Sequence, residues 1–558
     1  MYANKSNTYI QLDTHSKAKE IKILYQSSKE LDIDHITINK SNFNISIIRI
    51  LIVFAIINLI YYIKTKKIYE IKYDRNSKKQ LILLYSILEF IIIMISVYYV
   101  IETNMLENKF EQKDLLCQEQ VMQTESLLKG VAKLLIQPSE ELINLEDPYN
   151  PGLRIEKNVQ FMFDTAYYNE NYYSYFGIAP IITLIMPIKL IFNMYLPIKV
   201  YTLLFILLAI FLMFSVYKKI IDKYISNVSL FNFILGFITI LFSSSILLLL
   251  RGEKYDIVCS SGIMFFLLAM FLLIDIDDKT KYKKLKLIIA GLATGFIVLS
   301  KPSYILYYLI IFYLLFLYLN NKEINNKTKV MDTLFYIIPL GFLAILQMGY
   351  NYARFDSIFE FGAKYQLTSF NMNYAMTPTF GKIIEGLGKY IFTLPVINIF
   401  EYPFVLANFD ISNTALNELC YQNKLVGLIA FPIIWGFLLK SELKKNMKSE
   451  TDKNLLQLIN LSLLTIILFI ILNTVSAGIC DAYSIEFKLI AVMFSTITLL
   501  KILENKENNH ITNKIFLILC VSTLLLFIPL SITTESNLLI NMDNKLNVYL
   551  KNLFEFWS

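Results

Sequence analysis

Apolar runs of about twenty residues recur along this chain, and nothing else in the sequence limits its fold so tightly. A helix of about 20 residues covers the roughly 30 Å of hydrocarbon in a bilayer. The runs fall near 46–63, 81–101, 199–217, 228–250, 256–274, 287–300, 303–319, 332–348, 425–439, 454–473, 488–502 and 515–532. Of 558 residues, 56% are hydrophobic and 17% charged, well outside the soluble range. The expected fold class is therefore all-α: a polytopic transmembrane helical bundle of about 12 spans.

Charge between the runs predicts orientation. Loop 64–80 carries Lys64, Lys66, Lys67, Lys72, Arg75, Lys78 and Lys79 against Glu70 and Asp74, which places it in the cytoplasm. The Lys-rich loops 218–225, 275–286, 320–330, 440–453 and 501–514 fall on the same side if each run crosses once. Two loops of about 75 residues each, 102–177 and 349–424, are then extracytoplasmic; the first holds thirteen acids against six bases. The alternation closes only if 178–196, with Pro180 and Pro187, lies in the interface without crossing. Both termini are then outside. Long connections inside a compact domain are usually functional, so the site is expected on the outer face.

Several function classes are disfavoured. The net charge of +7 arises from Lys spread over short loops, which is no footprint for nucleic acid. No GxxxxGK[ST] or strand-linked GxGxxG occurs, so a nucleotide site is not expected. The five cysteines, at 117, 259, 420, 480 and 520, form no CxxC pair. The three histidines, His15, His35 and His510, all lie outside the apolar runs. No cofactor is required by the sequence, and a divalent metal has no support from it. The first 43 residues are polar, so no signal peptide is expected. High Lys, Ile and Asn look like an AT-rich bacterial genome.

The outer loops hold the candidate residues. "QVMQTESLLKGVAKLL" reads as an amphipathic helix, and "PSEELINLEDPYNPGLR" as a turn-rich passage. "DTAYYNENYYSYFGIAP", Asp164 to Pro180, has six aromatic residues in seventeen. An aromatic belt at the membrane boundary accounts for Tyr alone. The accompanying Asp164, Asn169, Glu170 and Asn171 fit a sugar-holding surface instead, with Tyr172 and Tyr173 as its candidate substrate-binding rings. "LLLLRGEKYDIVCSSG" puts Arg251, Glu253, Lys254 and Asp256 in a short outer turn. Such polarity often only stops two helices, yet a phosphate needs Arg or Lys and a hydroxyl nucleophile needs a carboxylate in reach. Arg154, Arg251, Lys254 and Arg354 are the candidate outer bases. Glu89, inside the second run, is a functional candidate by default.

The motifs "LLKG…LL…P…L…LEDPYNP…R", "DTAYYNENYYSYFGIAPIITLIMP", "RGEKYDIVCSSGIMFF", "GLATGFIVLSKPS" and "NYARFDSIFEFGAKYQLT" occur in that order. Together they resemble bacterial multi-pass proteins related to the GT-C glycosyltransferases, a group that includes protein O-mannosyltransferase, aminoarabinose transferase and rhizobial lipopolysaccharide transferase relatives. The resemblance covers roughly 81–490. It implies a polyprenyl-phosphate-linked sugar donor, an outward-facing site and inverting transfer to an envelope acceptor, in a bacterial cytoplasmic membrane. It also implies an acid early in the first outer loop, for which Glu119 is the nearest positional match and Asp114 the competitor. Many relatives use Asp, so Glu119 is a departure. Asp256 or Glu253 fits the second-loop acid, and Asp164 more readily orients the Tyr cluster. Relatives commonly carry a base before Tyr near 480, whereas this chain reads "CDAYSIEF", with Ala482. On this reading 1–80 is an added tail and span, 81–350 the core, 351–424 the second outer loop and 425–558 the C-terminal helices. The competing readings are a lipid-linked polysaccharide polymerase or ligase, a transporter or flippase, and an inactive relative. A transporter would show internal repeats and midplane charges, and neither stands out here.

Overall fold

The computed structural model describes residues 47–102, 115–398, 402, 404–406, 408–409, 424–445, 449–479, 481–505 and 510–533. They are mostly helical. Seven helices among them are long and apolar enough to cross a membrane: Ile47–Thr65, Lys78–Val100, Ile198–Tyr224, Asp256–Leu273, Pro302–Leu319, Asn326–Phe355 and Glu450–Ser476. Further apolar helices run over Leu230–Ser243, Lys283–Ser300, Asp481–Asn505 and His510–Thr533. The 425–439 run does not become an α-helix. It folds as short 3-10 turns at Leu428–Ala430 and Pro432–Leu439.

Helices Ile198–Tyr224, Asp256–Leu273 and Asp481–Asn505 form the centre, buried nearly all round, whereas Ile47–Thr65 exposes most of its apolar surface. A helix with apolar residues on every side has no face that prefers water, so burial and lipid contact serve it equally. Glu89 stands on an exposed face of helix Lys78–Glu102. Close packing is made by small residues. Gly291 lies so near helix Asn326–Phe355 that a Cβ there would come within 2.1 Å of the Tyr336 carbonyl oxygen.

Polar contacts gather the connections into two groups. At one end, Tyr73 donates to Asp222 at 2.8 Å, Lys219 pairs with Asp275 at 2.7 Å, and Lys501 meets Asp452 and the Tyr224 carbonyl, both at 2.8 Å. These residues belong to or border the Lys-rich loops. At the other end lie the first long loop, the 251–255 turn and the segment after Phe355.

Segment 178–196 is short. A five-residue π turn, Ile181–Ile185, continues into the seven-residue helix Met186–Phe192, and Asn193 ends it in the left-handed conformation. The pair rises about 18 Å, well under the roughly 30 Å of a bilayer core. Leu190, Ile191 and Phe192 are exposed on it, a display suited to the membrane boundary.

Candidate functional site

The helix expected over 120–135 is shorter than its pattern suggests. It spans Glu119–Leu128 and stops at Gly130, whose φ of 76° is open to glycine at no steric cost. Its buried side is polar: Glu119, Gln120, Gln123, Thr124 and Ser126 join Val121 inside, while Leu128 is exposed. A helix that buries amides and a carboxylate must have partners for them. Gln120 donates to the Lys254 carbonyl at 2.8 Å and Gln123 to the Tyr350 hydroxyl at 2.6 Å. Glu125 accepts from the Tyr195 hydroxyl at 2.6 Å. The helix is thereby pinned to three separate parts of the chain.

The tyrosine stretch forms a hairpin. Strands Ala166–Tyr168 and Asn171–Tyr173 pair antiparallel around a two-residue turn in which Asn169 and Glu170 have φ of 45° and 58°. Two successive positive φ values are the signature of a type I′ turn, which favours Asn at its first position. Asn169 and Glu170 thus answer to turn geometry. Side chains alternate across the hairpin. Tyr167 and Tyr172 pack with Leu134, Leu142, Leu145, Val159 and Leu367, while Ala166 and Tyr173 pack against Phe355. Tyr172 and Tyr173, expected to hold substrate, are therefore buried packing residues.

Three of the four expected phosphate clamps are likewise committed. Arg154 is buried, donates to the carbonyls of Pro148 and Thr368, and stacks 4.7 Å from the centre of the Phe161 ring. Arg354 is buried, donates to the Ser174 carbonyl at 2.6 Å and to Asn351 Oδ1 at 2.8 Å, and lies over Tyr350. Arg251 bonds Asp256 Oδ1 at 2.7 Å, while Asp256 Oδ2 accepts from the Glu253 amide at 3.0 Å. Both oxygens of Asp256 are thus spent on closing the 251–256 turn. The Glu253 side chain is exposed. Buried arginines hold backbone carbonyls well because a planar fork of donors satisfies several at once.

What remains is a compact group around Lys254. Its ammonium lies 3.5 Å from Glu119 Oε2, 3.2 Å from the Phe163 carbonyl and 3.5 Å from that of Asp164. It also sits over the rings of Phe176 and Tyr255. Asp164 holds a left-handed φ of 57°, tolerable for Asp but disfavoured for most residues. One of its oxygens accepts from the Tyr255 hydroxyl and the other from Gln366 at 2.9 Å. Asp164 is saturated, which suits an orienting group.

Glu119 differs. It is 6% exposed, and its Oε1 has no hydrogen-bond partner among the described residues. Burial raises its carboxyl to about 7, with Lys254 and the nearby Ser174 hydroxyl pulling the other way and Asp164 adding to the rise. Ser174 Oγ lies beside this carboxylate but makes no hydrogen bond of normal geometry. The Tyr175 and Tyr255 hydroxyls, held protonated by burial and by the charges of Asp164 and Glu119, complete the group, that of Tyr255 donating to Asp164. The competitor Asp114 lies outside the described residues. No cluster of three or more His, Cys, Asp or Glu suited to a metal occurs among the described residues.

Comparison with known proteins finds no matching family model, no similar curated protein and no matching solved structure. Sequence reasoning passed over Ser174, Tyr175, Tyr255 and Gln366, although each lies in or beside a motif it had marked. A tyrosine among many tyrosines carries no label of its own; only the fold separates the two facing carboxylates from those packing the hairpin.

Proposed function

We propose that the protein is an integral membrane glycosyltransferase of GT-C type, with about twelve spans. It transfers a sugar from a polyprenyl-phosphate donor to an envelope acceptor outside the bacterial cytoplasmic membrane. One observation carries the reading: Glu119, buried, near-neutral in pKa and with an oxygen to spare, stands beside Lys254. In the proposed reaction Glu119 Oε1 takes the acceptor's hydroxyl proton while the acceptor oxygen bonds the anomeric carbon. The bond from that carbon to the phosphate oxygen breaks, the electron pair leaves on the phosphate, and the anomeric centre inverts. A base with a pKa near the working pH serves such a step best, and fixed cations stabilise the departing phosphate. Asp164, through Tyr255, orients the wall.

The test is transfer from a polyprenyl-phosphate-linked sugar in membranes holding the full chain. Glu119→Gln keeps the shape and loses the basicity, so turnover falls by about 10²–10⁴ with donor binding retained. Wild-type turnover in Glu119→Gln would remove Glu119 as the base. Absence of any transfer, with envelope glycans unchanged in a deletion strain, would remove the transferase reading.

A further inference from the structure

A second charged pair shares this wall and is absorbed by none of the roles above. Lys301 lies at the turn between helix Lys283–Ser300 and the 3-10 segment Pro302–Tyr307. The tyrosine stretch is seated on that turn at Gly177, where a Cβ would come within 2.1 Å of the carbonyl oxygens of both Leu299 and Ser300. The Lys301 ammonium pairs with Glu486 Oε1, and Glu486 Oε2 accepts from Asn473 at 3.1 Å. The side chain of Glu486 is 1% exposed, whereas that of Lys301 is 25% exposed. The ammonium stands 5.2 Å from the Tyr483 ring centre and 5.6 Å from that of Tyr304. Tyr483 in turn is within electrostatic reach of Tyr175 and Tyr255, the tyrosines near Glu119 and Asp164.

A carboxylate buried among apolar helices is costly unless paired, and an ionisable pair in such a setting marks a functional position by default. Its chemistry narrows the role. An ammonium with an aromatic collar binds an oxyanion as a point charge, and a carboxylate and a phosphate offer it the same kind of charged acceptor. Arg154, Arg251 and Arg354 are bound to groups of the fold itself, and Lys254 is occupied with Glu119 and two carbonyls. Lys301 is also paired, to Glu486, yet its side chain keeps an accessible surface beside the aromatic collar.

We propose that Lys301 anchors the phosphate of a lipid-linked ligand, and that Glu486 is an internal stand-in which the phosphate displaces. The proposal rests on the transferase reading for its choice of ligand. It separates two tasks on one wall: proton removal at Glu119 and phosphate anchoring at Lys301. Glu486 keeps its bond to Asn473 when displaced.

The test is binding of a polyprenyl monophosphate to the full chain in lipid nanodiscs, with the matching neutral polyprenol and inorganic phosphate as comparisons. Lys301→Gln should weaken the lipid phosphate about tenfold to a hundredfold, the range of one charge-assisted bond, and Lys301→Arg should restore most of the loss. Glu486→Gln should tighten binding several-fold, because it removes the competing carboxylate while an amide oxygen still accepts from Asn473. A merely structural ion pair predicts no gain in Glu486→Gln, and unchanged or weaker binding there overturns the proposal. That variant also carries the test should Lys301→Gln fail to fold. Polyprenol or inorganic phosphate binding as tightly as the lipid phosphate would overturn the lipid-linked assignment. Lys301-dependent binding without transfer would leave the subsite and remove the transferase reading; transfer with Lys301-independent binding would do the reverse.

Discussion

Glu119 makes a prediction that reaches both activity and stability. Its folded pKa of about 7 lies above the ordinary carboxyl value of 4.5, so the native state holds the proton more tightly than the unfolded chain between these values. Stability attributable to this group is full below about pH 4.5 and is lost as pH rises through 7. The difference corresponds to on the order of 3 kcal/mol, at about 1.4 kcal/mol per unit. Glu119→Gln removes the titration, so the variant should be more stable than wild type at pH 8 and gain nothing at pH 4. As a base the same group must be ionised. Transfer at limiting substrate should therefore rise with pH, with unit slope, to a plateau above about 7. Lys254 favours the charged form, so Lys254→Met should move that limb upward. The assays are a pH series of initial transfer rates and of thermal unfolding in detergent. A rising limb at pH 4–5, or an unmoved limb in Lys254→Met, would refute the reasoning. So would a Glu119→Gln variant with the wild-type stability profile.

Three further outcomes are expected. Gly177→Ala forces a Cβ against two backbone carbonyls, which should cost at least the 1–3 kcal/mol typical of overpacking and lower the unfolding temperature; an unchanged temperature would show that the seat is loose. Arg251→Ala leaves Asp256 buried without its partner, so the loss should be about 3–5 kcal/mol of stability, with residual folded protein binding the lipid phosphate normally; a selective binding defect would restore Arg251 as a clamp. Single cysteines at Glu170 and at Lys66, in a cysteine-free background, should label from outside and only after permeabilisation respectively; the reverse pattern would overturn the orientation.

The helices were legible because a run of twenty apolar residues has few alternatives in any solvent. The same logic failed on the first long loop. Periodicity assumes that apolar residues face inward, yet helix Glu119–Leu128 turns its amides and carboxylate in and Leu128 out, because polar partners at Lys254 and Tyr350 meet it there. Gly130 was visible in the sequence, but a single glycine does not by itself declare a helix end. The arginines were misjudged for a related reason. Arg154 and Arg354 look like ligand-binding cations in any polar loop, and only their partners, the carbonyls of Thr368 and Ser174, show that they hold the fold. Lys301 and Glu486 stand 185 positions apart, a distance across which no local pattern carries information.

Those two arginine contacts also bear on how the chain is made. Arg354 reaches back 180 positions to the Ser174 carbonyl, and Arg154 waits for the Thr368 carbonyl 214 positions ahead. At about 5–20 residues per second, ribosomes need roughly 10–40 s to cover the longer interval. Through that time the first long loop lacks the Thr368 partner of its guanidinium, while several apolar helices are still to be inserted. A nascent chain stalled before residue 368 should therefore expose Arg154 to proteolysis by trypsin, and release past that point should close the site of cleavage.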